Sequence, residues 1–103
     1  MFYSKKIYFF GAGIIGKRWI KFAAKYGIKI EGIIDNNKDL WGNYCEGILI
    51  YSVDILKSLK NELICITCKN YEAVRNQLLD MGLMKEQIID VDSLLGKIVY
   101  TEI

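Results

Sequence analysis

With 103 residues, 52% of them hydrophobic and 25% charged, the chain has the composition of one globular domain with room for a single core. Its 14 basic and 12 acidic side chains leave a net charge of +2 with no dense basic stripe, so no nucleic-acid partner is expected. Charged residues also interrupt every apolar run well before the roughly 20 residues of a membrane-spanning helix, so no membrane insertion is expected.

Lys5 and Lys6 ahead of the apolar run Ile7 to Ile15 mimic the start of a secretion signal. Lys17 and Arg18 follow at once and no small-residue cleavage site does, so the run is read as a strand and a glycine turn. Ile7-Tyr8-Phe9-Phe10 is apolar without alternation, the mark of a strand buried on both faces. After the glycines, Ile15, Trp19, Phe22, Ala23 and Tyr26 recur at helical spacing opposite Lys17, Lys21 and Lys25, and Gly27 ends the helix.

Ile28 to Ile34 reads as a second strand, with Gly32 inside it, stopping at the turn-former Asp35-Asn36-Asn37. Residues 36 to 47 make an abbreviated crossover, with at most a turn or two of helix around Leu40 and Trp41, before a third strand at Ile48 to Tyr51. Ser52 caps a short helix over Val53 to Leu59, and Leu63 to Thr67 is a central strand. Asn70 starts a helix from Tyr71 to Met81, with Tyr71, Val74, Leu78 and Met81 on one face and Gly82 at its end. Ile88 to Val91 makes a fifth strand, and the tail from Asp92 is ambiguous. Strands alternating with helices predict a Rossmann-like three-layer α/β domain over residues 1–103, with a five-stranded parallel sheet in the order 3-2-1-4-5.

Gly11-Ala12-Gly13-Ile14-Ile15-Gly16 matches G-x-G-x-x-G at the place where that pattern has meaning, after a buried strand and at the start of a helix. Gly11 then serves the tight turn, Gly13 lets a phosphate approach the backbone, and Gly16 lets helix and strand pack closely. The free amides and dipole of the helix's first turn favour that phosphate. Asp35 lies 19 positions after Gly16, where an acid that accepts ribose hydroxyls belongs, and Asn36 follows it. A carboxylate there repels a 2′-phosphate, so NAD(H) is favoured over NADP(H). The same residues also suit a glycine turn that satisfies strand-to-helix geometry with no ligand at all.

Other motifs are weaker. Gly11, Gly16 and Lys17 nearly spell a nucleoside-triphosphate loop, but Arg18 stands where the magnesium-binding Ser or Thr belongs. Lys17 and Arg18 are read as solvated helix residues, with Lys17 able to lend charge near a phosphate. Cys65 and Cys68 form a C-x-x-C across a strand end, and with only Cys45 besides, they lack a fourth zinc ligand. Core packing for Cys65 and a loop role for Cys68 follow, so no metal site is predicted. Three cysteines suit reduced thiols in a cytoplasm. Histidine is absent, and no catalytic constellation suggests itself, so a self-contained enzyme is not expected.

Phe10-Gly11-Ala12-Gly13-Ile14-Ile15-Gly16, Gly32-Ile33-Ile34-Asp35-Asn36, Trp41-Gly42 and Glu46-Gly47-Ile48 together resemble a recurrent bacterial domain. It is the small Rossmann-like nucleotide-binding domain of surface-polysaccharide proteins, found ahead of the catalytic parts of nucleotide-sugar dehydratases and sugar acetyltransferases. The similarity runs from Lys6 to Val91. It implies bacterial glycan metabolism and a ligand that is NAD(H) or a UDP-sugar, held by Gly11, Gly13, Asp35 and the loop near Thr67 and Cys68. Chemistry would come from a partner or an absent domain, and the expected protein partner is a second copy of the chain, as a homodimer, or a catalytic partner domain. The rival reading is a vestigial interaction domain without nucleotide, and a third is a minimal oxidoreductase or transferase active only in assembly.

Overall fold

A computed structural model describes residues 5–94. In chain order the elements are β1 (Ile7–Phe10), α1 (Ile14–Lys25), β2 (Gly32–Ile34), β3 (Tyr44–Cys45), β4 (Ile48–Tyr51), β5 (Leu63–Ile66), α2 (Tyr71–Asp80) and β6 (Ile88–Ile89). Short 3-10 turns occupy Lys38–Leu40, Val53–Ser58 and Lys85–Gln87.

The six strands form one sheet in the order β3-β4-β2-β1-β5-β6. Five of them, β4-β2-β1-β5-β6, are parallel and follow the predicted order, with Phe9 beside Ile33 on one flank and Cys65 on the other. The sixth, β3, is an unforeseen antiparallel edge strand paired with β4. Its two-residue connection is Glu46-Gly47, both at positive φ (52° and 81°), which is the hairpin geometry that matches strand twist.

Unbroken apolar runs make sense once both faces are covered. Ile7 and Phe9 of β1, Ile33 of β2 and Leu63 and Cys65 of β5 join Ile20 and Ala23 of α1 in one core. Phe10, Ile34, Ile64 and Ile66 point the other way, into a second core with Leu56, Val74 and Leu78. The result is three layers, with α1 on one face of the sheet and α2 with the Val53–Ser58 turn on the other.

Each helix ends as its glycine predicted. Gly27 and Gly82 take positive φ, and the amides of Ile28 and Leu83 reach back to the carbonyls of Ala23 and Leu78. The buried line of α1, however, is Gly16, Ile20 and Ala23. Trp19 and Phe22 pack at the margin of that core, where their rings meet edge to face. The second strand is shorter than expected because the ladder starts at Gly32, a position where a Cβ would collide with the Tyr51 ring. The Val53 helix is a 3-10 turn ending at Ser58, capped by the Ser52 hydroxyl on the Asp54 amide. The last strand stops at Ile89, and residues 91–94 turn helically, with the Asp90 carboxylate accepting the Ser93 amide. The rest of the tail, beyond Leu94, lies outside the described residues.

Candidate nucleotide site

The glycine turn joins β1 to α1 at the carboxyl ends of the parallel strands, the usual ligand edge of such sheets. Its three glycines answer to different constraints. Gly11 sits at φ +122°, a conformation other residues rarely adopt, and donates its amide to the Ile34 carbonyl at 2.8 Å. At Gly16 an added Cβ would strike the Gly11 carbonyl, so the helix approaches the turn as closely as glycine allows. Gly13 differs from both. Its φ is an ordinary −77°, and a Cβ there would meet no atom within 4 Å.

Thr67 braces the turn from β5. Its amide donates to the Phe10 carbonyl at 3.0 Å, and its buried hydroxyl lies 3.0 Å from the carbonyls of both Phe10 and Gly11. From β2 comes Asp35, whose Oδ2 accepts the Ala12 amide and whose Oδ1 accepts the Asn37 amide, each at 2.8 Å. The Trp41 indole N–H donates to the Asp35 carbonyl at 2.7 Å and so anchors the abbreviated crossover to the same spot. Asn36 turns instead toward α2, where its amide and that of Gln77 exchange two hydrogen bonds of 2.9 and 2.8 Å.

Beyond the turn opens a cleft of about 460 Å³ lined by Gly13, Ile14, Ile15, Arg18, Thr67, Cys68 and Lys69. Of the residues expected at the site, Gly13, Ile14, Ile15, Thr67 and Cys68 meet there. Gly11 and Gly16 lie behind them as packing, while Asp35 reaches the turn through Ala12. No acidic residue stands in the first turn of α1 and no side chain caps it, so the amides that helix geometry leaves without intrahelical acceptors are free to meet an anion, with Asp35 engaging only the Ala12 amide just ahead of them. Burial first, and the Asp35 carboxylate after it, push the Cys68 thiol above its ordinary value, so it lines the cleft as a neutral thiol.

Two lining residues were not expected at the site: Arg18, read from the sequence as a solvated helix residue, and Lys69. The clue was present, since Arg18 falls four positions after Ile14 and therefore on the same helix face. Lys17 does the opposite of what a phosphate loop needs. It reaches the β3–β4 turn, with its Nζ 3.5 Å from Glu46, and so does not line the cleft. Cys65 is fully buried in the core and apart from Cys68, which stands at the cleft. A second cavity of about 250 Å³ lies near the other end of β1, lined by Lys5, Lys6, Lys29 and Glu31 among others. No helix among the described residues is long and apolar enough to cross a membrane.

The sequence model of the family described as C2185-like, N-terminal, matches residues 3–89, and the chain belongs to that family. No curated protein matches the sequence. Among solved structures the fold is similar to UDP-D-quinovosamine 4-dehydrogenase from Vibrio fischeri, at 16% identity and a TM-score of 0.63 over 90% of this chain and 84% of that one. It is also similar to RSP, solved in complex with β-NAD+ and operator DNA, at 15% identity and a TM-score of 0.58 over 94% of this chain and 56% of that one. RSP is described as a Rex-family repressor. The chain thus spans a little over half the length of the repressor it matches.

These neighbours share the Rossmann-like fold, and they correct one expectation. The exclusion of a nucleic-acid partner does not stand, because this fold occurs in a repressor solved on operator DNA. Charge balance within one domain was the wrong measure. A nucleic-acid contact can be made by a part of a chain that the domain's own composition does not report, and 44% of the repressor lies outside the match.

Proposed function

We propose that this C2185-like N-terminal domain is a nucleotide-binding module for NAD(H) or a UDP-sugar. Pyrophosphate would sit against the turn from Gly11 to Gly16, with Ala12, Gly13, Ile14 and Ile15 presenting backbone, ribose toward Asp35 and Asn36, and the ligand's far end over Thr67 and Cys68. The residues 1–103 act as one domain in the cytoplasm, and the chemistry comes from a partner or a further domain. The polysaccharide context follows from the resemblance to bacterial nucleotide-sugar proteins, and a dehydrogenase of a UDP-sugar shares the fold.

The observation that carries this reading is the empty space over Gly13. Gly11 and Gly16 are glycines for reasons internal to the fold, but nothing in the protein crowds Gly13. A glycine there is explained by something outside the chain that must come close to the backbone, as a phosphate does at this position of the fingerprint. Asp35 is compatible with a ribose even though both its oxygens already accept amides, since a carboxylate offers about four acceptor sites and only two are used.

The test is a thermal-shift panel of NAD, NADP, UDP-sugars, CoA and ATP. A ligand at about 100 times its dissociation constant adds roughly 2.7 kcal/mol of stability. Shifts with NAD(H) or a UDP-sugar and none with NADP support the module. A flat panel, with a stable dimer in solution, favours the vestigial interaction domain.

A further inference from the structure

Arg18 and Lys69 enter the cleft from separate elements, the second turn of α1 and the loop after β5. None of the seven lining residues is acidic. Lys17 and Lys21 share Glu46, Lys29 meets Glu31 and Lys57 meets Asp54, while Lys25, Lys38, Lys60 and Lys85 make no ion pair among the described residues, so it is their place in one cleft that sets Arg18 and Lys69 apart. Among the described residues, neither Arg18 nor Lys69 takes part in an ion pair.

Ile14 and Ile15 supply an apolar wall to the same cleft, and Ile14 is 76% exposed beside it. A wall of this kind suits the C–H face of a pyranose ring rather than a bare phosphate. We infer that Arg18 and Lys69 form a specificity subsite for an anionic group carried beyond the pyrophosphate, and that the preferred ligand class is a nucleoside-diphosphate sugar bearing a carboxylate. This deepens the nucleotide reading and rests on it. The diphosphate takes the turn at Gly13, the sugar ring lies on Ile14 and Ile15, and its carboxylate meets the two cations. Arg18 offers a planar fork for two carboxylate oxygens, while Lys69 acts as a mobile point charge.

The test uses the full chain and two probes that differ only in the sixth carbon of the sugar, UDP-glucose and UDP-glucuronate, titrated by calorimetry at low ionic strength. Exposed charges give modest energies, so the expected preference for UDP-glucuronate is roughly fivefold, shrinking as salt is added. In Arg18→Gln/Lys69→Gln the ratio of the two affinities falls to about one, and Lys69→Glu reverses it. Lys57→Gln, a cation outside the cleft, keeps the wild-type ratio. Melting curves of each variant show whether it is folded, and the single reversal supplies the result if the double variant is not. Equal binding of the two sugars by the wild type, or a preference retained in the folded double variant, overturns the subsite alone. Binding of neither probe, nor of NAD(H), overturns the nucleotide reading and the subsite together.

Discussion

Asp35 reaches back 23 positions along the chain to Ala12, whose amide donates to its Oδ2 at 2.8 Å. That bond ties the end of β2 to the middle of the glycine turn, and the Trp41 indole adds the crossover to the same junction. The acid that sequence spacing marks as a ribose ligand is thus also a structural strut.

Asp35→Ala is therefore expected to cost stability as well as ligand affinity. It removes two amide bonds to a charged acceptor, and such a bond contributes about 1.5–3 kcal/mol. Partial exposure of the carboxylate keeps the expected loss at roughly 2 kcal/mol, read as a lower urea midpoint at an unchanged slope. A midpoint equal to the wild type would mean that water replaces the carboxylate at no cost.

Gly16→Ala sets two effects against each other. Alanine in a helix interior is favoured over glycine by about 1 kcal/mol. Its Cβ, however, would run into the Gly11 carbonyl, a backbone atom held by the β1–β2 junction and by Thr67, and overpacking of this kind costs about 1–3 kcal/mol. Steric conflict is expected to win, with a melting temperature several degrees below wild type. A higher melting temperature would show that α1 can move away from the turn.

Cys65 gives a pH signature. Burial first, and the Asp90 carboxylate after it, push its thiol up to about 12 from an ordinary 9.0. A raised folded value means that the unfolded chain releases this proton first. The associated stability is therefore complete below about pH 9 and drains away as pH rises toward about 12. Denaturation midpoints measured across that window are expected to fall more steeply in the wild type than in Cys65→Ala. At pH 8 Cys65 is expected to resist alkylation in the native protein while Cys45 and Cys68, both only partly buried, react slowly, since burial raises their thiols as well. Equal modification of all three thiols under native conditions would contradict the buried placement.

Much of this architecture could be read from residues alone, where patterns were strong and local. Long apolar runs such as Leu63 to Ile66 marked strands covered on both faces, and glycines at 27 and 82 marked helix ends. β3 escaped because it is two residues long and owes its existence to the positive φ of Glu46 as well as Gly47, a conformation that Glu does not advertise. The face of α1 is rotated from the one its apolar spacing predicts, because Trp19 and Phe22 are too large for the close seat against the sheet that Gly16, the smallest residue of the helix, allows. At the site, the turn and Asp35 were legible from spacing. Arg18 shares a helix face with Ile14 by spacing, but its meeting with Lys69 was not legible, since only the fold brings the second turn of α1 beside the loop after β5.

Gly13 offers the sharpest separation of folding from binding. A Cβ there meets nothing within 4 Å beyond its chain neighbours, so Gly13→Val is expected to stay folded, losing about 1 kcal/mol because valine is a poor N-cap for α1. The same isopropyl group would stand where a phosphate must approach the backbone. Calorimetric titration of NAD(H) and a UDP-sugar into wild type and Gly13→Val, alongside their melting curves, measures both properties at once. The expected result is a folded variant with no detectable binding beside a wild type that binds one of the two; undiminished affinity in the variant would contradict it.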